Sequence, residues 1–226
     1  MTLVVIPAFN EQSTVGEVVR TVASIGLDCV VVDDGSTDDT AAVARGAGAL
    51  VVRLPVNLGV GAALRAGFRY AVRNGYRRAI QVDADLQHDP GSIPDLVAAA
   101  DAGAHLVIGS RFAAGYEVGK SRRLVMRALA RLVSRRVGVP LDDVTSGFRA
   151  ISEPLLSHFA NDYPADFLGD TVEAIVIAHE FGATVAQVPV TMAQRRVGAA
   201  TSGARAFGHL LRLLLVLSIR PIRHRR

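Results

Sequence analysis

The chain has 226 residues, half of them hydrophobic, and a formal net charge of +4. That length fits one large domain, or a domain with a short appendage, and the apolar content excludes a disordered or collagen-like polymer. A single cysteine, Cys29, excludes an internal disulfide framework and a multi-cysteine zinc site.

Short β-branched runs punctuate the first half: Leu3–Ile6, Cys29–Asp33, Leu50–Leu54, Ala79–Asp83 and Leu106–Gly109, with a later one at Val185–Val190. Most are continuous apolar stretches, the pattern of strands buried on both faces of a mostly parallel sheet. Helical periodicity falls between and after them, at Thr14–Ile25, Thr40–Gly46, Gly59–Asn74, Ser92–Ala102, Arg122–Val137 and Thr171–Phe181. Regular alternation of strand and helix predicts an α/β fold with flanking helices.

Charge is unevenly spread. All 21 acids precede residue 181, and residues 181–226 carry 8 arginines. A surplus confined to one end points to membrane phosphates, an anionic substrate or nucleic acid. The chain has 8 Phe, 4 Tyr and no Trp, a poor supply for a base-stacking platform, which argues against nucleic acid. Arg123, Arg127, Arg131 and Arg135 recur every fourth residue and share one helix face. Leu124, Val125, Ala128, Leu129, Leu132 and Val133 read as the opposite, buried stripe. Such a helix either presents a solvated face over a core or turns its cations to a membrane or a phosphate-bearing acceptor. Leu210–Ile219 is too short to span a bilayer and is followed by a basic tail, so residues 203–226 read as an amphipathic appendage to a domain over 1–202. No basic residue precedes the opening apolar run, unlike a secretory leader, and a cytoplasmic, membrane-peripheral protein is expected.

Four groups of residues sit where the chain leaves a strand, the place where parallel sheets collect ligands. Pro7-Ala8-Phe9-Asn10-Glu11 follows the first run, and Asp33-Asp34-Gly35-Ser36-Thr37-Asp38 the second. Acids there accept from ribose or base donors, and Gly35 permits a tight turn and close approach to a ligand; Ser36 and Asp38 are alternatively caps for the next helix. In Asp83-Ala84-Asp85-Leu86-Gln87, an extended chain would aim both carboxylates one way. Two close carboxylates favour a cation between them, and a hard Mg²⁺ or Mn²⁺ suits Asp83, Asp85 and the Gln87 amide oxygen. His88 reads as a surface loop residue. Arg111, after Gly109-Ser110, offers a guanidinium to a phosphate, or a salt bridge to a nearby acid.

In order and spacing, VVIPAFNE, VVVDDGSTDDT, NLGVGAALRAGF, VDADLQHDP, GSR and DVTSGFRA resemble the inverting family 2 glycosyltransferases of GT-A fold. The nearest branch is similar to dolichol-phosphate mannose synthase, which moves a sugar from a nucleotide donor to a polyprenyl phosphate. The resemblance implies that Pro7, Ala8, Phe9 and Glu11 hold base and ribose, with Val32 and Asp34 as second-strand contacts. It implies that Asp83, Ala84 and Asp85 meet donor and metal, that Gln87 adds a ligand, and that Arg111 and Arg122 face phosphates. Ser146-Gly147-Phe148 matches a loop near the sugar, and Arg195 or Arg196 with Gly198 a late basic loop over the donor. Phe9 stands where tyrosine is frequent, and the late loop lacks a common lysine.

The resemblance implies displacement at the anomeric carbon with inversion, with Asp85 and Arg111 among the catalytic groups. A phosphate acceptor attacks unaided, whereas a hydroxyl acceptor needs a base, for which Asp170 and Glu173 are the candidates; both are equally explained as helix N-terminal acids. GDP-mannose, UDP-glucose and UDP-N-acetylglucosamine fit the residues alike, and the branch suggests GDP-mannose. The competing classes are a dinucleotide oxidoreductase, disfavoured because the first strand leads into PAFNE rather than a glycine-rich turn, and a non-catalytic membrane-surface adaptor, disfavoured by the intact acids.

Overall fold

A computed structural model describes residues 1–112, 120–164 and 169–193, and for 120–122, 169 and 170 the backbone alone. The elements run β1 (Thr2–Ala8), α1 (Val15–Ser24), β2 (Asp28–Asp33), α2 (Thr40–Gly46), β3 (Leu50–Arg53), α3 (Val60–Arg73), β4 (Arg78–Gln81) and α4 (Ile93–Asp101). They continue with β5 (Leu106–Ser110), α5 (Lys120–Val137), β6 (Arg149–Ser152), α6 (Leu155–Asn161), α7 (Gly169–Phe181) and β7 (Val185–Pro189). The expected boundary at 202/203 and the apolar Leu210–Ile219 stretch lie outside the described residues.

One seven-stranded sheet forms in the order β3-β2-β1-β4-β6-β5-β7. All neighbours pair parallel except β6, which runs antiparallel to both β4 and β5. The α/β class and the mostly parallel sheet are as expected; β6 and α6 are additions. β6 is only four residues long and begins with a charged Arg149, which leaves too little apolar run to read as a buried strand.

Layering follows from the apolar runs. Val4 and Ile6 of β1 join one core with Val15, Val18, Val19 and Val22 of α1 and Ile93 and Leu96 of α4. Alternation sends Val5 to the other face, under α3. There Gly67 lets the helix lie on the strand, since a Cβ at that position would stand 2.3 Å from Val5 Cγ1. Behind α3, the Phe68 and Phe159 rings each meet Tyr163 edge-on, at 5.2 and 5.0 Å.

Candidate functional site

Parallel pairing puts the ends of β1, β2, β4, β5 and β7 on one edge, and the reversed β6 starts there. Five segments therefore share that edge: 7–11, 33–38, 83–88, 110–111 and 143–148. The first two are tied directly. Asn10 donates its amide to Ser36 Oγ at 2.9 Å and accepts the Thr37 amide at 3.0 Å, and Glu11 donates its amide to Thr40 Oγ1 at 2.8 Å. Asn10 manages both at φ 55°, a left-handed conformation its short amide tolerates.

The acids at the end of β2 hold the backbone. Asp34 accepts the Leu58 and Gly59 amides, both at 2.8 Å, and so clamps the turn leading into α3. Asp33 accepts the Ser36 amide at 2.9 Å, and its other oxygen lies 3.2 Å from Arg53 Nε. That oxygen has no hydrogen bond of good geometry, so the Arg53 contact is electrostatic. Gly35, at φ 72°, does allow a close approach, but to the chain's own Val56–Asn57 backbone: a Cβ would lie 2.6 Å from the Val56 carbonyl carbon. Asp38, one of the two expected caps, stands one residue before the N-cap Asp39 and accepts the Thr40 amide at 3.0 Å. Its carboxyl sits below the ordinary carboxylate range: partial burial opposes this, and hydrogen bonds from Thr40 and Gln12 outweigh it. Phe9 is 44% exposed at this edge. Ala8, Val32 and Ala84 are buried where β1, β2 and β4 reach this edge.

After β4 the chain turns through Ala84–Asp85, and Leu86 takes φ 63°. The extended geometry assumed for the two acids is thus absent, and a turn arranges them instead. Asp85 accepts the Gln87 amide at 3.1 Å, which closes that turn. The Asp83 carboxylate rests against Gly147, where a Cβ would stand 3.1 Å from Oδ2 and 3.0 Å from Gln81 Nε2. Gln81 Oε1 beside it is buried without a hydrogen-bond partner.

These residues fit a divalent cation. Asp83, Asp85 and Gln87 offer hard oxygens, and Gly147 leaves the Asp83 carboxylate room. Among the described residues no group of three His, Cys, Asp or Glu gathers as a ready-made metal cage. Mg²⁺-type sites commonly use one or two carboxylates and take remaining oxygens from substrate phosphates and water.

His88 corrects the sequence expectation. It is 5% exposed, with its ring stacked on Phe148 at 4.9 Å and 12°. Arg111 takes the salt-bridge alternative. Its Nη2 donates to Asp143 Oδ1 at 3.0 Å and to Thr145 Oγ1 at 2.9 Å, while its Nε also meets the buried Asp143. Nη1 takes part in none of these bonds. Sequence reasoning missed Asp143 and Arg149. The Arg149 guanidinium is buried and donates to the Ser146 and Thr171 carbonyls at 2.8 Å and to Val144 at 3.3 Å. It fixes the 144–148 loop against α7, which also carries the half-buried Glu173. A lone charge in RAIS gives no signal of such burial. Beside Ser110 opens a cavity of about 600 Å³, lined by Arg131, Ser134, Arg135, Leu141, Asp142 and Gln187 among others.

Helix α5 departs from expectation. Met126, Leu129, Ala130, Val133 and Val137 form its buried face, whereas Leu124, Val125 and Leu132 are 69%, 40% and 39% exposed. They lie among the exposed Arg123, Arg127, Arg131 and Arg135. The side chains of Arg122 and Asp170, and residues Arg195, Arg196 and Gly198, lie outside what the structure describes.

The sequence model described as Glycosyl transferase family 2 matches residues 3–159. Polyprenol monophosphomannose synthase of Mycolicibacterium smegmatis is 36% identical, over 87% of this chain and 79% of the relative. Undecaprenyl-phosphate mannosyltransferase of Micrococcus luteus is 30% identical, over 87% and 85%. Among solved structures, glucosyl-3-phosphoglycerate synthase of Mycobacterium tuberculosis, in complex with Mn²⁺, UDP and phosphoglyceric acid, superposes with a TM-score of 0.75. It is 27% identical, over 99% of this chain and 80% of that one.

Proposed function

The chain belongs to glycosyl transferase family 2, and from that premise we propose that this glycosyltransferase moves a hexosyl group from a nucleoside-diphosphate sugar to a polyprenyl phosphate with inversion. The observation that carries the proposal is the meeting of the five segments on one sheet edge, with the first two hydrogen-bonded into a single wall. The names of the relatives, a polyprenol monophosphomannose synthase and an undecaprenyl-phosphate mannosyltransferase, support the acceptor class and mannose as the sugar.

In this account an acceptor phosphate oxygen attacks the anomeric carbon as the bond to the leaving diphosphate breaks, and that electron pair departs with the nucleoside diphosphate. The acceptor is already anionic, so no base is required. Pro7, Phe9 and Glu11 lie beside the base and ribose, and the exposed Phe9 ring offers the base a face. Asp34 acts through the Leu58–Gly59 turn that it clamps. Arg111, held in one orientation by Asp143, offers its Nη1 donors to phosphate oxygens on which negative charge develops. Asp83, Asp85 and Gln87 would hold Mg²⁺ or Mn²⁺; bound there, the ion neutralises the leaving diphosphate. Orientation of the two substrates supplies the rest.

The exposed leucines and arginines of α5 suit the surface of an anionic bilayer, where apolar side chains enter the headgroup region and arginines meet phosphates. No described helix is long and apolar enough to cross a membrane. The cavity beside Ser110 opens on the Arg131 and Arg135 side of this helix and suits the acceptor's anionic head.

The test is transfer from radiolabelled GDP- and UDP-sugars to polyprenyl phosphate in vesicles, with a soluble hydroxyl acceptor in parallel. The expected result is a labelled lipid product, a loss of at least about 100-fold in Asp85→Asn, corresponding to roughly 2.7 kcal/mol of barrier, and abolition by EDTA. Transfer only to the hydroxyl acceptor would replace the lipid phosphate by the base-assisted alternative through Asp170 or Glu173.

A further inference from the structure

Each ring nitrogen of His88 faces Asp83. The Asp83 amide donates to His88 Nδ1 at 3.0 Å. An accepting Nδ1 is unprotonated, which leaves the proton of the neutral ring on Nε2, and Nε2 lies 3.6 Å from Asp83 Oδ2. The imidazole is buried and packs on Phe148, the neighbour of the Gly147 that backs the same carboxylate. Its backbone is fastened too: His88 forms a β-bridge with Met192, and the Gln87 carbonyl accepts the Ala193 amide at 2.9 Å. The imidazole is thus packed on the 146–148 corner while gripping the acid by its main chain and facing its side chain.

We propose that His88 is a positioning residue that fixes where the Asp83 carboxylate stands toward the donor diphosphate and its cation. Asp83 follows a four-residue strand and precedes a turn, so its own backbone does little to hold it. Acceptance of its amide by Nδ1 sets the direction of the chain at Asp83. The Gly147–Phe148 corner then limits the carboxylate from the opposite side. This inference rests on the proposed donor site.

Two variants separate the hydrogen bond from the packing. His88→Asn places an amide oxygen near the position of Nδ1 and loses most of the ring. His88→Phe keeps a ring on Phe148 and removes both nitrogens. The readouts are amide hydrogen exchange at Asp83 in the metal-free protein, Mn²⁺-dependent affinity for GDP and UDP by calorimetry, and steady-state kinetics. The expected result is that His88→Phe exchanges Asp83 at least tenfold faster, weakens Mn²⁺-dependent nucleotide binding at least tenfold and raises KM for the donor. His88→Asn should stay within about threefold of wild type on all three. If His88→Phe does not fold, His88→Gln, whose longer amide misplaces the acceptor, takes its place with the same expectation. Nucleotide binding by His88→Phe equal to wild type, or losses in His88→Asn as large as in His88→Phe, overturns the proposal. A wild-type protein that binds neither nucleotide with Mn²⁺ overturns the donor site and this inference together.

Discussion

At the scale of single residues, much of the edge is built by side chains that bind backbone. Asp34 is the clearest case, because its two oxygens hold adjacent amides of the Leu58–Gly59 turn. Hydrogen bonds to a charged group contribute about 1.5–3 kcal/mol each. Asp34→Ala is therefore expected to destabilise the fold by about 3–6 kcal/mol, read by urea denaturation, and to weaken nucleotide binding as the turn loosens. Asp38 gives a pH signature. Its carboxyl is held below its ordinary range in the folded state, so its contribution is present above the unfolded carboxylate pKa of about 4 and is lost as pH falls through the lower folded value. Asp38→Ala should cost about 1 kcal/mol at pH 7, and denaturation at progressively lower pH should show that gap closing. Cys29 is the opposite kind of group: burial, with the neighbouring Asp28 charge, pushes its thiol up to about 11. At neutral pH it should react with thiol reagents only as fast as the protein opens.

Among the elements, what the sequence made legible followed the apolar signal. Leu3–Ile6 and Cys29–Asp33 read as buried strands because both faces needed covering, and the structure covers them with α1 and α4 on one side and α3 on the other. Arg149 broke that signal in β6, since its burial depends on carbonyls contributed by residues 144, 146 and 171. The acids at strand ends were legible as a set. The partners of Asp34 and Arg111 were not, because residues 24 and 32 positions away supply them. Helix α5 carries two apolar stripes, and periodicity alone could not tell which one the core takes. Packing decides a further prediction at Gly67. A methyl group there collides with Val5, so Gly67→Ala should destabilise by about 1–3 kcal/mol despite the better helix propensity of alanine. For the outward face of α5, each Arg→Gln change at 123, 127, 131 or 135 should weaken binding to anionic vesicles about fivefold, from roughly 1 kcal/mol per charge. Sedimentation at low and high salt checks this, and equal binding to neutral vesicles would contradict it.

For the whole molecule, the decisive feature is topological. Six strands end where the reversed β6 begins, so motifs up to about 140 residues apart in sequence share one edge. The described acids fall short of a complete metal cage, which suits a cation that a diphosphate helps to hold. Nucleotide and metal binding should then be mutually dependent, each strengthening the other by the same factor. Calorimetric titration of GDP and UDP, with and without Mn²⁺, into wild type and Asp83→Asn tests this most directly. The account predicts that Mn²⁺ tightens at least one nucleotide tenfold or more in wild type and leaves Asp83→Asn unaffected. Nucleotide affinity in wild type that is indifferent to Mn²⁺, or enhancement of equal size in Asp83→Asn, would contradict it.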